Sequence, residues 1–295
     1  MRTLLAGMAL ATILLASVAA ASALSSTAGA VTGELRIVYR TVHLKTRGGR
    51  PEVYSVLPSG QGRHLLARGA EQPAWSPDHT RIAFAGGGLV RPKGIWVMNA
   101  DGSAQRRLTT RLGDRNPTWS PDGRRLAFSG GSSPTGSEDL WIVPAAGGKA
   151  RPLLRTPRAN EGAPDWSPDG RRIALESTRS GSRQIWVLTL ASGQARRLTG
   201  GRDSVSPDWA PDGRRIAFVK LGRNGYRIAV MDVDSRRVKL LQSGTPLSVD
   251  NPAWSPDGRR IAFQRGGQVL TMRADGSDRR YVTRAAWGTN DGPDW

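Results

Sequence analysis

From residue 36 to the C-terminus, short apolar runs alternate with polar, turn-forming stretches. No apolar run there is longer than a strand. The runs come in sets of four. Each set opens on a segment ending Pro-x-Trp and turns through Ser-Pro-Asp-Gly, with Pro and Gly where a type I turn favours them. A second run follows at 82–84, 126–128, 173–175, 216–218 or 261–263, apolar at successive positions as in a sheet covered on both faces. The third run is "IWVM", "LWIV", "IWVL", "IAVM" or "VLTM", and an "ADGS"-type turn leads to a charged fourth run such as "RRLT". Charge on a fourth strand suits an exposed sheet edge.

The sets are copies of one another. "PAWSPDHTRIAF" at 73–84 returns as "PTWSPDGRRLAF", "PDWSPDGRRIAL", "PDWAPDGRRIAF" and "PAWSPDGRRIAF", and a final "PDW" ends the chain. The tryptophans Trp75, Trp119, Trp166, Trp209, Trp254 and Trp295 are 41 to 47 residues apart. That period with strand content predicts an all-β propeller, one four-stranded blade per repeat. Residues 36–40, 53–57 and 63–67 supply strands two to four of a blade with no first strand, and the terminal "PDW" is a first strand with no blade. Pairing the two closes a ring of six blades.

The string "WSPDGRRIAF…IWVMNADGS…RRLT" resembles the WD-repeat-like repeat of the TolB-like propeller family. The resemblance implies a six-bladed propeller over nearly the whole mature chain. Related repeats also occur in the propellers of prolyl-oligopeptidase-type enzymes and oligogalacturonate lyases, so it implies fold more sharply than activity. In TolB an α/β domain precedes the propeller; here a short Ser/Ala/Gly/Thr segment stands in that place.

The N-terminus adds a destination. Met1-Arg2-Thr3 precedes an almost wholly apolar run, residues 4–21, and Ala21-Ser22-Ala23 offers a small-x-small cleavage site, with Ala28-Gly29-Ala30 a second candidate. This order predicts a signal peptide over 1–23, a linker over 24–33 and a propeller over 34–295, hence export to a periplasmic or extracellular location. No later stretch is apolar enough to span a membrane. The chain has no cysteine, which excludes disulfides and lipid attachment through a thiol. Its formal charge is +19, carried largely by arginine pairs such as Arg124-Arg125, Arg171-Arg172 and Arg214-Arg215 inside the repeats. Spread in this way, they read as a solvated rim able to attract anionic polymer.

Catalytic constellations are missing from the sequence. It contains no Gly-x-Ser-x-Gly elbow or phosphate-binding glycine motif, and its three histidines, His43, His64 and His79, are too few for a histidine-built metal site. The repeated turn aspartates Asp78, Asp122, Asp169, Asp212 and Asp257 suit local bonds to backbone N–H groups better than calcium. Asp165, Asp208 and Asp294, between Pro and Trp, either line the channel or form structural pairs. No enzyme activity, cofactor or metal is expected.

The irregular segments all fall on one face, opposite the Ser-Pro-Asp-Gly turns, and binding concentrates on such loops. Just before each Pro-x-Trp stand Glu71, Asp114 with Asn116, Asn160 with Glu161, Asp203, Asp250 with Asn251, and Asn290 with Asp291. They predict an acidic, amide-rich mouth suited to a cationic peptide segment or a metal ion. Trp287, outside the repeat positions, joins them as a candidate contact. The expected role is a monomeric, non-enzymatic scaffold that binds another envelope or secreted protein. Anionic cell-wall or extracellular polysaccharide is the alternative partner, a propeller-type lyase ranks below it, and nucleic acid is not expected.

Overall fold

Each predicted set of runs is one antiparallel sheet in the computed structural model of the chain, which describes residues 35–42, 50–88, 91–131, 137–241, 249–284 and 288–295. The proposed signal peptide, His43 and Trp287 lie outside the described residues. Blade 1 contains β1 (Ile37–Val42), β2 (Pro51–Val56) and β3 (His64–Arg68). Blade 2 is β4 (Ala70–Trp75), β5 (Arg81–Gly86), β6 (Ile95–Asn99) and β7 (Arg106–Arg107). Blade 3 is β8 (Arg115–Trp119), β9 (Arg125–Gly131), β10 (Glu138–Pro144) and β11 (Arg151–Leu154). Blade 4 is β12 (Glu161–Trp166), β13 (Arg172–Ser177), β14 (Gln184–Thr189) and β15 (Gln194–Arg197). Blade 5 is β16 (Ser204–Trp209), β17 (Arg215–Gly222), β18 (Gly225–Asp232) and β19 (Val238–Leu240). Blade 6 is β20 (Val249–Trp254), β21 (Arg260–Arg265), β22 (Gln268–Arg273) and β23 (Arg280–Tyr281). The last strand, β24 (Thr289–Asp294), returns to pair with β1, Val38 facing Asp294 and Arg40 facing Asp291. The sheet order β24-β1-β2-β3 is the closure that the split repeat predicts, and the fold is a six-bladed β-propeller.

The core lies between blades. Phe84, Phe128, Phe218 and Phe263, on the second strands of blades 2, 3, 5 and 6, are fully buried, as is Leu175 in blade 4. At the closure Trp295 packs with Ile37, Tyr39 and Val56 of blade 1 and with Ala253, Ala262 and Val269 of blade 6. Its indole Nε1–H donates to the Ala253 carbonyl at 3.1 Å, as Trp119 does to Ala74 across blades 2 and 3 at 3.1 Å. Burial of apolar area across every interface makes the ring cooperative.

The arginine pairs divide their work. In blades 2, 4 and 5 the arginine opening the second strand lies over the repeat tryptophan of the next blade: Arg81 over Trp119, Arg172 over Trp209 and Arg215 over Trp254, at 4.6, 4.6 and 4.7 Å from the ring centroids. Its predecessor, as Arg171 or Arg214, is exposed. The solvated-rim reading therefore holds for one arginine of each such pair.

The turns use their aspartates locally. Asp257 Oδ1 accepts from Ser255 Oγ at 2.6 Å and from the Arg259 N–H at 3.0 Å, and the Ser255 hydrogen bond leads the causes holding its carboxyl below the usual range. The fourth turn residue is left-handed, φ 66° at Gly258 and 53° at His79, where glycine is the unstrained choice.

Candidate functional site: the axial mouth and channel

Every inner strand is interrupted one residue before its proline. Gln72, Asn116, Ala163, Ser206, Asn251 and Gly292 have φ between 42° and 53°, and in blades 2 to 6 the inner-strand register breaks there. A bulge accommodates the following proline, which has no ladder N–H to lose. It also turns these six residues toward the axis. Together with the six prolines they ring a channel of about 270 Å3. Five of them, all but Gly292, also border a wider vestibule of about 780 Å3 on the irregular face.

The vestibule collects Glu71, Asp114, Asn116, Asn160, Asp250 and Asn251, as the sequence pattern proposes, and Asp291 lines the channel with Asn116 and Asn251. Glu161, Asp203 and Asn290 border neither cavity. Glu161 is fully buried and binds Arg179 at 2.8 Å. Asn290 is buried too, accepting from Thr41 Oγ1 at 2.8 Å and donating to Gly288 at 2.9 Å. Asp203 accepts from the Arg183 N–H at 3.2 Å. Offset from the proline does not decide the split, since Asp114 and Glu161, both three residues before it, fall on different sides.

Arginine neutralises most of the acid. Arg40 donates to Asp291, with Nε 2.8 Å from Oδ1, and stands 3.8 Å from Glu71. Arg111 lies 3.6 Å from the buried Asp114, and Arg115 pairs with Glu138. Among the described carboxylates that line the vestibule, Glu176 and Asp250 have no arginine within ion-pair distance. Glu176 Oε1 accepts from the Ser206 N–H at 2.6 Å, and burial pushes its carboxyl up to about 6. Asp250 Oδ1 accepts from Ser206 Oγ and from the Asn251 N–H, each at 2.8 Å.

Deeper in the channel stand Asp165, Asp208 and Asp294. Each carboxylate crosses to the next blade: Asp294 Oδ2 accepts from the Trp75 N–H at 2.6 Å, Asp165 Oδ2 from Trp209 at 2.6 Å and Asp208 Oδ2 from Trp254 at 2.7 Å. They line the channel, as one reading has it; among the described residues none of the three is in an ion pair, and each instead joins two blades through a backbone N–H. Desolvation raises all three. Asp294 reaches about 6, while Asp165 and Asp208 are raised further by the negative charge of their fellow aspartates. Among the described residues no group of three acidic, histidine or cysteine side chains is arranged to hold a metal ion. Among the described residues the acid without an arginine partner thus forms a seam from Glu176 and Asp250 at the mouth down to Asp165, Asp208 and Asp294 in the channel.

The seam members Glu176 and Asp165 and the left-handed ring residues Gln72, Ala163 and Ser206 are not in the predicted mouth. A proline inside every first strand is the signal for the ring, because central strands otherwise exclude proline. Glu176 sits on the second strand of blade 4, where antiparallel pairing sets it opposite Gly162 of the inner strand, and packing of blade 5 brings Ser206 to it.

The model of the TolB beta propeller domain matches residues 73–295. The chain belongs to the TolB β-propeller family. TolB from Acinetobacter baumannii is similar over 89% of this chain and 67% of its own, at 24% identity and a TM-score of 0.77. A presumed TolB from Agrobacterium tumefaciens is similar over 85% and 90%, at 22% identity and a TM-score of 0.66. The acylaminoacyl peptidase of Pyrococcus horikoshii shares the fold over 86% of this chain but 45% of its own, at 16% identity and a TM-score of 0.56. No curated protein matches the chain.

Proposed function

We propose that this TolB-family propeller is an exported, non-enzymatic scaffold that binds another envelope or secreted protein at its axial mouth. The observation that carries the reading is the acidic seam. Among the described residues Glu176 and Asp250 lack an arginine partner, and the carboxyls of Asp165 and Asp208, raised by desolvation and by neighbouring acid, continue the acidic lining inward. Burying uncompensated carboxylates is costly, and a cation from outside relieves the cost. A lysine- or arginine-bearing extended segment has the shape and charge for a polar vestibule that narrows into a channel. Export rests on the N-terminal sequence, residues 1–23. Among the described residues no helix is long and apolar enough to cross a membrane.

The test is capture from envelope extract with the propeller as bait, followed by affinity measurement on the captured protein. Glu176→Gln with Asp250→Asn keeps the acceptors for Ser206 and Asn251 and removes two charges. The expected result is at least a tenfold weaker complex, since losing an interfacial charge contact costs ~2 kcal/mol or more. Unchanged affinity for every captured protein would rule out the seam as the binding element.

A further inference from the structure

A second surface lies on the outer rim, far from the mouth in the fold. Residues 234–240 form the longest unbroken exposed run among the described residues, and the run includes all of β19. It presents Arg236, Arg237 and Lys239 together with Val238 and Leu240, which are 45% and 48% exposed. Alternation along the strand separates these side chains. Arg237, Lys239 and Leu241 line the groove toward blade 6, with Ala274 and Asp275 on its far wall. Val238 and Leu240 therefore face the groove toward blade 4. Leu198 packs into the blade 4–blade 5 core, so Arg196, two residues before it, faces that groove as well. Tyr281, on the outer strand of blade 6, is 63% exposed.

The guanidiniums here are free. Arg196, Arg197, Arg236 and Arg237 are exposed and have no ion pair or side-chain hydrogen bond among the described residues. Other outer-strand arginines are occupied, as Arg280 by Asp278, Arg106 by the carbonyls of Ala145 and Ala146, and Arg68 by Glu52, while Arg151 of blade 3 is exposed and free among the described residues but stands without an exposed large hydrophobic neighbour on its strand. Among the described residues, three of the six exposed large hydrophobic residues, Val238, Leu240 and Tyr281, stand on the outer strands of blades 5 and 6. Sheet edges are ordinarily defended by charge alone. Free guanidiniums interleaved with exposed aliphatic and aromatic groups match an anionic lipid surface, which offers headgroup charge and an apolar layer beneath it.

We propose that the outer rim of blades 4 to 6 is a peripheral docking surface for an anionic phospholipid bilayer. Arg196, Arg197, Arg236, Arg237 and Lys239 engage headgroups, while Val238, Leu240 and Tyr281 enter the interface. The mouth then stays open, parallel to the membrane plane or beyond it, for its protein partner.

Vesicle flotation tests this with the propeller and liposomes of phosphatidylglycerol or of phosphatidylcholine. Binding is expected to phosphatidylglycerol and to fall with salt. The variant R196Q/R197Q/R236Q/R237Q should bind at least about a hundredfold less, at about fivefold per guanidinium. V238S/L240S should lose the part of binding that persists at raised salt. R68Q/R106Q/R124Q/R151Q, which removes equal charge from blades 1 to 3, should bind as the parent does. Absence of binding to phosphatidylglycerol overturns the proposal. So does an equal loss in the blade 1–3 variant, or a soluble polyuronate that displaces the vesicles while V238S/L240S binds normally, which would identify a polysaccharide surface. E176Q/D250N should retain vesicle binding, so failure at the rim and failure at the mouth are separable.

Discussion

Replacing Asp294 by asparagine isolates the cost of the channel carboxylates. Asp294 Oδ2 accepts the Trp75 N–H at 2.6 Å across the junction of blades 1 and 2, and desolvation lifts its carboxyl to about 6. An unfolded aspartate titrates near ~3.9. Below about pH 4 the group is protonated in both states and imposes no penalty. As pH rises from there through about 6 the unfolded chain releases its proton first, so folding loses stability; the full loss is present above about 6. Two units at ~1.4 kcal/mol each give ~3 kcal/mol, which channel water reduces to about 2 kcal/mol. Asparagine keeps an oxygen for the Trp75 N–H and carries no charge. Asp294→Asn should therefore be more stable than the parent at neutral pH by about 2 kcal/mol, or roughly 4–8 °C in Tm, and equal to it in acid. Asp294→Ala removes the acceptor as well, and the orphaned N–H costs ~1–3 kcal/mol, cancelling the gain. Urea melts of the three proteins across the acid-to-neutral range make the comparison. A parent that gains stability steadily from acid to neutral, with Asp294→Asn less stable throughout, would falsify the assignment of a raised carboxyl.

Two further outcomes follow from the packing. Trp295→Ala should cost ~3–5 kcal/mol, because the indole is buried between blades 6 and 1 and anchors the closing strand; a denaturant melt shifted by less than ~1 kcal/mol would mean that β24 contributes little to closure. Arg172→Ala should destabilise by about 1 kcal/mol through loss of its stack on Trp209, while Arg171→Ala, at an exposed position, changes stability by less than ~0.5 kcal/mol; equal effects on Tm would refute the division of labour within the arginine pairs.

The sequence by itself determined the architecture. Five copies of one phrase, a period in the forties and a phrase split between the two ends leave one ring as the consistent solution, because each repeat buries its apolar faces only against its neighbours. It also determined which turns are uniform and which loops differ, since the turn residues Pro, Asp and Gly have local preferences that need no distant contact. Much of the mouth was legible for the same reason: Glu71, Asp114, Asn116, Asn160, Asp250 and Asn251 stand just before the Pro-x-Trp of an inner strand and arrive at one vestibule. Tertiary structure decided the rest. Glu161 and Asn290 carry the same sequence signature yet are buried beside Arg179 and Thr41, because facing depends on the bulge and on the next blade. Which carboxylates keep their charge uncompensated depends on where Arg40, Arg111, Arg115 and Arg183 reach, and those arginines lie on other strands or loops. The channel aspartates bond a backbone N–H some 44 to 46 residues onward, or 219 residues back across the ring closure. A one-dimensional pattern fixes local geometry and burial period; charge pairing and desolvation are set by distances through space, which exist only once the ring has closed.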